Sequence, residues 1–436
     1  MILNSLRNKT FWLIDSIKKG ETKTHLKEIE FCIDNPNNKT TKQIRKDHLE
    51  KILSHATNTV LFYKSLGNTK DILDFPVIRK TVIQADFESF QSNIFKNKDN
   101  FKVSTSGSTG VPFFLFQNQE KRKRNNADVI YFLKKSGYEI GNRLYHLGIW
   151  TKHNSKNKLE SWIYNKSQID ISRFSDQRIK SFIALLKTDT QSKKTILGIA
   201  SAFEMIAKYL KDSNITLSDS GITAAIANSE YLNPFTKTNL GKHLNTKVLS
   251  RYSSEELGII AQQTLNSPDK FVINDASYFV EILNLENDNP VKIGEFGRII
   301  VTDLFNYAMP LIRYDTGDIA QLGANDDGTF RLDQVEGRKM DIIYDSSGNL
   351  VSSYLVFTKV FKYYTLFKQY QFIQQGEKDY EIKLNLHGDN FEHENELIEN
   401  VKSDFGEDAT VTITYVDGIP PLSSGKRRKV VNNYKK

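Results

Sequence analysis

Cysteine is nearly absent: Cys32 is the only one in 436 residues. That excludes a disulfide framework and a cysteine-based metal site, and a lone thiol without a companion motif reads as structural rather than catalytic. No apolar run approaches the roughly 20 residues that cross a membrane. The opening MILNSLRNKTFWLIDSIKKG lacks the long apolar core and small-residue cleavage site of a signal peptide, so the expectation is a cytoplasmic, soluble protein. No zinc-finger, RNP or helix-turn-helix pattern accompanies the basic excess of 60 Lys and Arg over 52 Asp and Glu. The net charge of +8 therefore suits an anionic ligand without implying nucleic acid. No internal repeat or low-complexity tract is visible.

What the chain has is core-forming material. At 39% hydrophobic, with 27 Phe and 19 Tyr, it can fill a sizeable core, and its length exceeds what one core usually serves. Two domains, or a large one with a small appendage, are expected. The stretch 103–116, VSTSGSTGVPFFLF, sets a run of Ser, Thr and Gly between two hydrophobic segments, which places a hydroxyl-rich loop at a sheet edge. Glycines let backbone N–H groups approach phosphate oxygens, and the hydroxyls add uncharged donors. Val111 and Pro112 follow the last glycine where a Walker loop has its Lys, so that motif is excluded. Alone, such a cluster is more often an ordinary surface turn.

In the first 70 residues, Leu49, Ile52, Leu53, Ala56 and Val60 make one face of an amphipathic helix that should dock on the core. Residues 75–80, with Pro76, read as an extended connector. Residues 126–136 read as a helix and 143–150 (RLYHLGIW) as a strand, where His146 and Trp150 either line a pocket or, by preference, pack in the core. Residues 196–210 pass from an apolar run into a helix beginning near Ser201, a capping residue type. A strand over 223–227 ends at Asn228, Ser229 and Glu230. This alternation predicts a mostly parallel sheet, whose ligands sit at the carboxyl ends of its strands.

Residues 248–258, VLSRYSSEELG, bring Tyr252, Glu255 and Glu256 to such an end. There a carboxylate can hold Mg²⁺ against phosphates and a ring can stack on a base; an acid-rich helix start is the plainer alternative. Between residues 294 and 320, strands are expected near Ile299–Val301 and Leu311–Ile312, with a turn at Thr316, Gly317 and Asp318 whose carboxylate can accept both hydroxyls of a ribose. Further on, Tyr380, Ile382, Leu384 and Leu386 alternate as in a half-exposed strand. Leu397, Ile398, Val401 and Phe405 mark a helix face, and Val411, Ile413 and Tyr415 another strand. This small α+β module ends in IPPLSSGKRRK over 419–429, a basic loop able to reach a cleft or to stay a solvated tail.

Together these segments resemble the adenylate-forming superfamily, enzymes that activate a carboxylate with ATP, and within it the phenylacetate-CoA ligase and CapK-like branch. STSGSTGVP is similar to its phosphate loop, YSSEE to its Tyr-Gly-x-Thr-Glu motif, RYDTGD to its ribose motif, EGRKMD to its hinge and LSSGKRRK to its C-terminal lysine motif, all in order. The resemblance implies an α/β fold with a large N-terminal domain of mostly parallel sheets (1–337) and a small mobile C-terminal α+β domain (338–436). It implies ATP and Mg²⁺ as cofactors. Ser106, Gly107, Ser108, Thr109 and Gly110 would cradle the phosphates, Tyr252 would lie near the adenine, and Glu256 would hold Mg²⁺. Asp318 would grip the ribose, Arg338 would contact the nucleotide, and Lys426 would bridge the carboxylate and the α-phosphate. Val111, Ser253 and Met340 depart from the family pattern, the last at the hinge on which the small domain turns.

The first functional expectation is an AMP-forming ligase that passes its acyl group to a thiol, CoA. A second keeps adenylation but transfers to an amine or hydroxyl, for instance on a sugar in polysaccharide assembly. A third is a non-catalytic nucleotide-binding protein, against which the joint presence of Glu256, Asp318 and Lys426 argues.

Overall fold

The computed structural model describes residues 2–105, 113–150, 158–172, 174–338, 343–351, 356, 359–360, 363, 366–388, 390–420 and 428–434. Three helices lead the chain, α1 (Ile2–Ile17), α2 (Glu21–Asp34) and α3 (Lys39–Thr59). The expected face of α3 is realised: Ile52, Leu53, Ala56 and the following Val60 are buried against the core. Residues 75–80 do more than connect. Ile78–Arg79 forms β1, ahead of α4 (Lys80–Ala85), and pairs in parallel with a strand more than two hundred residues on. A two-residue strand carries no period, so the sequence alone does not reveal it.

The hairpin β2 (Phe101–Thr105) and β3 (Phe113–Gln117) precedes α5 (Gln119–Lys135). This helix begins seven residues earlier than residue 126, where the apolar period starts. Its first turns are buried through charge: Lys121 Nζ lies 2.7 Å from Asp303, and Arg124 bonds Ser277 Oγ at 2.8 Å and Glu28 at 2.7 Å. Buried ions need partners, and these come from elsewhere in the chain.

Then follow β4 (Arg143–Gly148), α6 (Lys158–Ile163), β5 (Lys166–Asp170), α7 (Asp176–Thr188), β6 (Lys194–Ile199), α8 (Ala200–Asp212), β7 (Ile222–Asn228), α9 (Pro234–Leu244) and β8 (Lys247–Ser254). The sheet order is β5-β4-β6-β7-β8, all parallel, extended antiparallel by β9 (Gly258–Gln262) and β10 (Val272–Ile273). The expected parallel sheet is thus present. β6 is buried at every residue, as a central strand covered on both faces must be. On α8, Phe203, Ile206 and Leu210 repeat at helical spacing and are all but fully buried, each contributing about 1.5–3 kcal/mol. Ser201 does not cap this helix. It lies inside the first turn, and its backbone N–H is met by the Glu230 carboxylate at 2.8 Å.

A second sheet holds β1, β13 (Tyr314–Ala324), β12 (Phe296–Asp303) and β11 (Tyr278–Leu283), with β14 (Phe330–Arg338) on β13. Leu311 and Ile312 are fully buried but lie before β13 rather than in a strand. Thr316, Gly317 and Asp318 fall inside β13, where the register with β14 slips between Asp318 and Ile319. The expected turn is therefore a bulged strand, and Gly317, at φ 77°, takes a backbone conformation that costs other residues energy.

The C-terminal part has a short hairpin, β15 (Ile343–Tyr344) and β16 (Leu350–Val351), and a sheet ordered β19-β18-β17-β20. Its strands are β17 (Phe367–Gln374), β18 (Asp379–Leu386), β19 (Thr410–Tyr415) and β20 (Val430–Asn432), packed with α10 (Glu394–Phe405). The alternation in β18 and the face of α10 follow expectation, with Tyr380, Ile382, Leu384, Leu397, Val401 and Phe405 buried together. The module docks on α8: Lys208 Nζ donates to the Phe367 carbonyl at 2.9 Å, and Lys429 pairs with Glu204.

Candidate active site

β8 and the bulge of β13 meet at one point, although 66 residues separate their key side chains. The Tyr252 hydroxyl donates to Asp318 Oδ2 at 2.8 Å and lies 3.2 Å from Thr316 Oγ1. Thr316 holds its place by donating to the Ile299 carbonyl at 3.0 Å, while its oxygen accepts the Asp318 N–H at 3.2 Å. Burial, then the Asp318 and Glu256 carboxylates, push the Tyr252 phenol well above its ordinary range, so it remains a donor.

Glu255 and Glu256 lie in the tight turn from β8 to β9, not at a helix start. Ser254 Oγ accepts the Leu257 N–H at 3.3 Å across that turn. Gly258 closes it at φ 113°, where a Cβ would come within 2.8 Å of Asn125 Oδ1. The turn leaves Glu255 exposed and directs Glu256 inward, its Oε1 3.5 Å from the Tyr314 hydroxyl. Burial and the Glu256, Asp318 and Asp315 carboxylates raise the Tyr314 phenol as well. Asp315 is itself committed to Arg298 at 2.9 Å and to the Gly317 N–H at 2.9 Å, which shapes the bulge.

Of the residues expected from sequence, Tyr252, Glu256 and Asp318 are brought together. The backbone of Arg338 pairs directly with Asp318 across β13 and β14; its side chain lies outside the described residues. Ser106, Gly107, Ser108, Thr109, Gly110 and Lys426 also lie outside them, as do Val111 and Met340. The phosphate-loop segment springs from the β2–β3 hairpin, whose last pair before it is Thr105 with Phe113. That hairpin is anchored next to the acid turn, since Gln117 Nε2 donates to the Glu256 carbonyl at 2.9 Å.

Tyr314 and Thr316 complete the cluster; the sequence marks Thr316 only as part of a turn and gives Tyr314 no role. Both sit in RYDTGD, so the motif contained them, but only the bulge turns them toward Glu256 and Tyr252. His146 and Trp150 are in edge contact at 4.8 Å at the end of β4, with Lys166 over the Trp150 ring. Cys32 is fully buried, as a structural residue should be, and burial raises its thiol. Among the described residues no group of three His, Cys, Asp or Glu forms a metal cage, and no helix is long and apolar enough to cross a membrane.

Residues 343–433 match the family model described as the CapK C-terminal domain. Protein CapK of Staphylococcus aureus is 25% identical over 380 residues, covering 84% of this chain and 81% of that one. Phenylacetate-coenzyme A ligase of Escherichia coli K12 is 30% identical over 122 residues, 27% of this chain and 28% of that one. Among solved structures, 2-hydroxyisobutyryl-CoA ligase in its postadenylation state with 2-HIB-AMP matches with a TM-score of 0.72 at 14% identity, covering 90% of both chains. The same ligase in its thioesterification state, with 2-HIB-AMP and CoA, scores 0.59 at 15% identity over 92% of this chain and 91% of that one. The C-terminal module thus matches the CapK C-terminal domain, the chain is similar to protein CapK along most of its length, and its two-part α/β fold is that of the 2-hydroxyisobutyryl-CoA ligase structures.

Proposed function

We propose that this protein uses ATP to convert a carboxylic acid into an acyl-adenylate and then transfers the acyl group to a thiol, that of CoA. The observation that carries this reading is the convergence of Tyr252, Glu256 and Asp318, with Arg338 paired to Asp318 by register. They come from three separate motifs, and an unrelated fold has no reason to assemble them. In the first step a carboxylate oxygen attacks the α-phosphorus and the bond to pyrophosphate breaks; in the second the sulfur attacks the acyl carbonyl and AMP departs.

The acidic pair of the first step, carboxylate against triphosphate, makes positioning and positive charge the protein's main contributions. In this reading Asp318 holds the ribose hydroxyls, oriented by the Tyr252 donor. Ser106, Gly107, Ser108, Thr109 and Gly110 enclose the phosphates, Arg338 meets the nucleotide, and Lys426 supplies a compact charge between the reactants. Mg²⁺ fits the residues present. One half-buried carboxylate, Glu256, combined with substrate phosphates is how this ion is usually held, and it needs no protein cage. The ion would neutralise charge on the phosphates as pyrophosphate leaves.

Pyrophosphate release, measured with ATP and a library of carboxylic acids, tests the reading; it is expected to depend on the acid and on Mg²⁺. Asp318→Ala removes charge-assisted bonds worth roughly 1.5–3 kcal/mol each, so nucleotide affinity should fall at least about tenfold by calorimetric titration. An unchanged affinity in a folded variant removes the ribose assignment. Release that no acid stimulates removes adenylation itself. Mass analysis of products formed with CoA or with an amine identifies the acceptor.

A further inference from the structure

On one face of the parallel sheet the register places His146 beside Gln168 and Leu197, and Leu197 beside Ile226, which pairs with Leu249. Directly opposed residues share a face, and so do residues two apart on a strand. Asn228 and Arg251, two residues beyond Ile226 and Leu249, therefore belong to the same face, nearer the carboxyl ends of the strands. Its floor is apolar, with Leu144, Leu197 and Ile226 packed against Leu133 and Tyr138. Toward the strand ends it turns polar.

Four side-chain atoms there are withdrawn from solvent and have no hydrogen-bond partner among the described residues: His146 Nδ1, Gln168 Nε2, Asn228 Oδ1 and Arg251 Nη2. A buried polar atom left unmet keeps the full penalty of leaving water. Natural proteins keep few of them, so four on one sheet face, Asn228 and Arg251 toward the carboxyl ends of the strands, call for a partner beyond the described residues. Arg251 is the strongest of the set. It is 93% buried by its 7% exposure, and its Nε donates to Gln262 Oε1 at 2.5 Å. Gln262 is fixed in turn on the Phe132 carbonyl at 3.1 Å and Ser136 Oγ at 2.8 Å. The guanidinium is thus clamped at Nε and left without a partner among the described residues at Nη2. No carboxylate among the described residues engages it, and burial alone pulls it down to about 10.

His146 feels the charges of Lys166 and Arg251, which puts the three in one neighbourhood, and burial holds the imidazole neutral, down to about 3. Next to Asn228, Ser229 takes a left-handed backbone conformation at φ 68°, a strained position of the kind found at ligand sites. Arg251 immediately precedes Tyr252, so this face borders the nucleotide cluster.

We propose that the acid activated here carries a second anionic group, which enters this face and pairs with Arg251, while His146, Gln168 and Asn228 bond the polar atoms beside it. The substrate class is then dicarboxylic acids and their hydroxylated relatives rather than plain aliphatic or aryl acids. This rests on the adenylation reading and adds to it the nature of the acid. Specificity follows from what a plain acid would leave behind: a buried cation and three polar atoms still unpaired, a penalty that hydrophobic contact does not offset.

The test is pyrophosphate release at pH 7.5 with dicarboxylates and hydroxy-dicarboxylates of four to eight carbons, against monocarboxylates of matched length and phenylacetate. The expected result is a kcat/KM at least about tenfold higher for the best dicarboxylate. Arg251→Met should erase that preference, lowering kcat/KM for the dicarboxylate by about tenfold to a hundredfold and leaving the matched monocarboxylate within about twofold. Its melting temperature should stay level or rise, because an apolar side chain replaces an unpaired buried charge. Monocarboxylates preferred by the unaltered protein, equal losses for both acid classes, or a fall in melting temperature would each overturn the inference while leaving adenylation intact. Failure of every acid would overturn adenylation, and this inference with it.

Discussion

At the scale of single residues, the turn after β8 separates two neighbours that look alike in sequence. Glu255 faces solvent, whereas Glu256 points toward Tyr314 and its carbonyl is tied to Gln117. Of the two, only the second faces the Tyr252–Asp318 cluster. Glu256→Gln keeps the shape and removes the charge, so pyrophosphate release should drop and recover only at higher Mg²⁺, while Glu255→Gln should change little. A magnesium titration of both variants checks this. A larger effect at Glu255 would place the motif one residue out of register.

At the scale of elements, α2 and α5 are held together by a charged staple that makes stability depend on pH. Arg124 Nη1 lies 2.7 Å from Glu28, His48 bonds the same carboxylate at 3.0 Å, and His25 Nδ1 sits 3.4 Å from Arg124. Burial, then Arg124, hold His25 down to about 4. Burial opposes ionisation of Glu28, but the His48 and Arg124 bonds outweigh it and hold the carboxyl down to about 2. The signs differ in window. As pH falls below 6.5 the unfolded chain protonates His25 and the folded one does not, so stability declines toward pH 4; the Glu28 contribution is lost only below pH 4.5. His146 acts in the same direction as His25, while Asp275, raised to about 6 by burial, opposes both because the folded state binds its proton first. Urea midpoints should be lower at pH 5 than at pH 7, and His25→Asn should narrow the gap. A gap that the variant leaves unchanged would assign the dependence to other groups.

At the scale of the molecule, the question is how the small domain meets the large one. The chain scores higher against 2-hydroxyisobutyryl-CoA ligase after adenylation than against the same ligase during thioesterification, at nearly equal coverage. The contact runs through α8, by way of Lys429 with Glu204 and Lys208 with Phe367, and Lys429 is three residues from Lys426. If Lys426 serves adenylation alone, Lys426→Ala should slow pyrophosphate release by roughly a hundredfold to a thousandfold, the usual cost of losing a fixed donor at developing charge. Given a synthetic acyl-adenylate, the variant should form thioester at close to the normal rate if the proposed second step uses another arrangement of the small domain. Loss of both half-reactions would make Lys426 a general binding or structural residue.

The order of the motifs, the parallel alternation and the apolar faces of α3, α8 and α10 were legible in the sequence because each depends on residues a few positions apart, whose spacing states the period directly. The same holds for the identity of Tyr252, Glu256 and Asp318 as candidates. Other features required the fold. Lys121 and Arg124 are buried only because Asp303, Ser277 and Glu28 come to meet them, so an apolar count starts α5 too late. β1 exists only as a partner of β13, and the RYDTGD segment is a bulged strand because β12 and β14 pair on either side of it. The orphaned atoms of His146, Gln168, Asn228 and Arg251 have no local signature at all. Partnership across a sheet is set by long-range register, and a side chain shows that it lacks a partner only after every other residue has found its place.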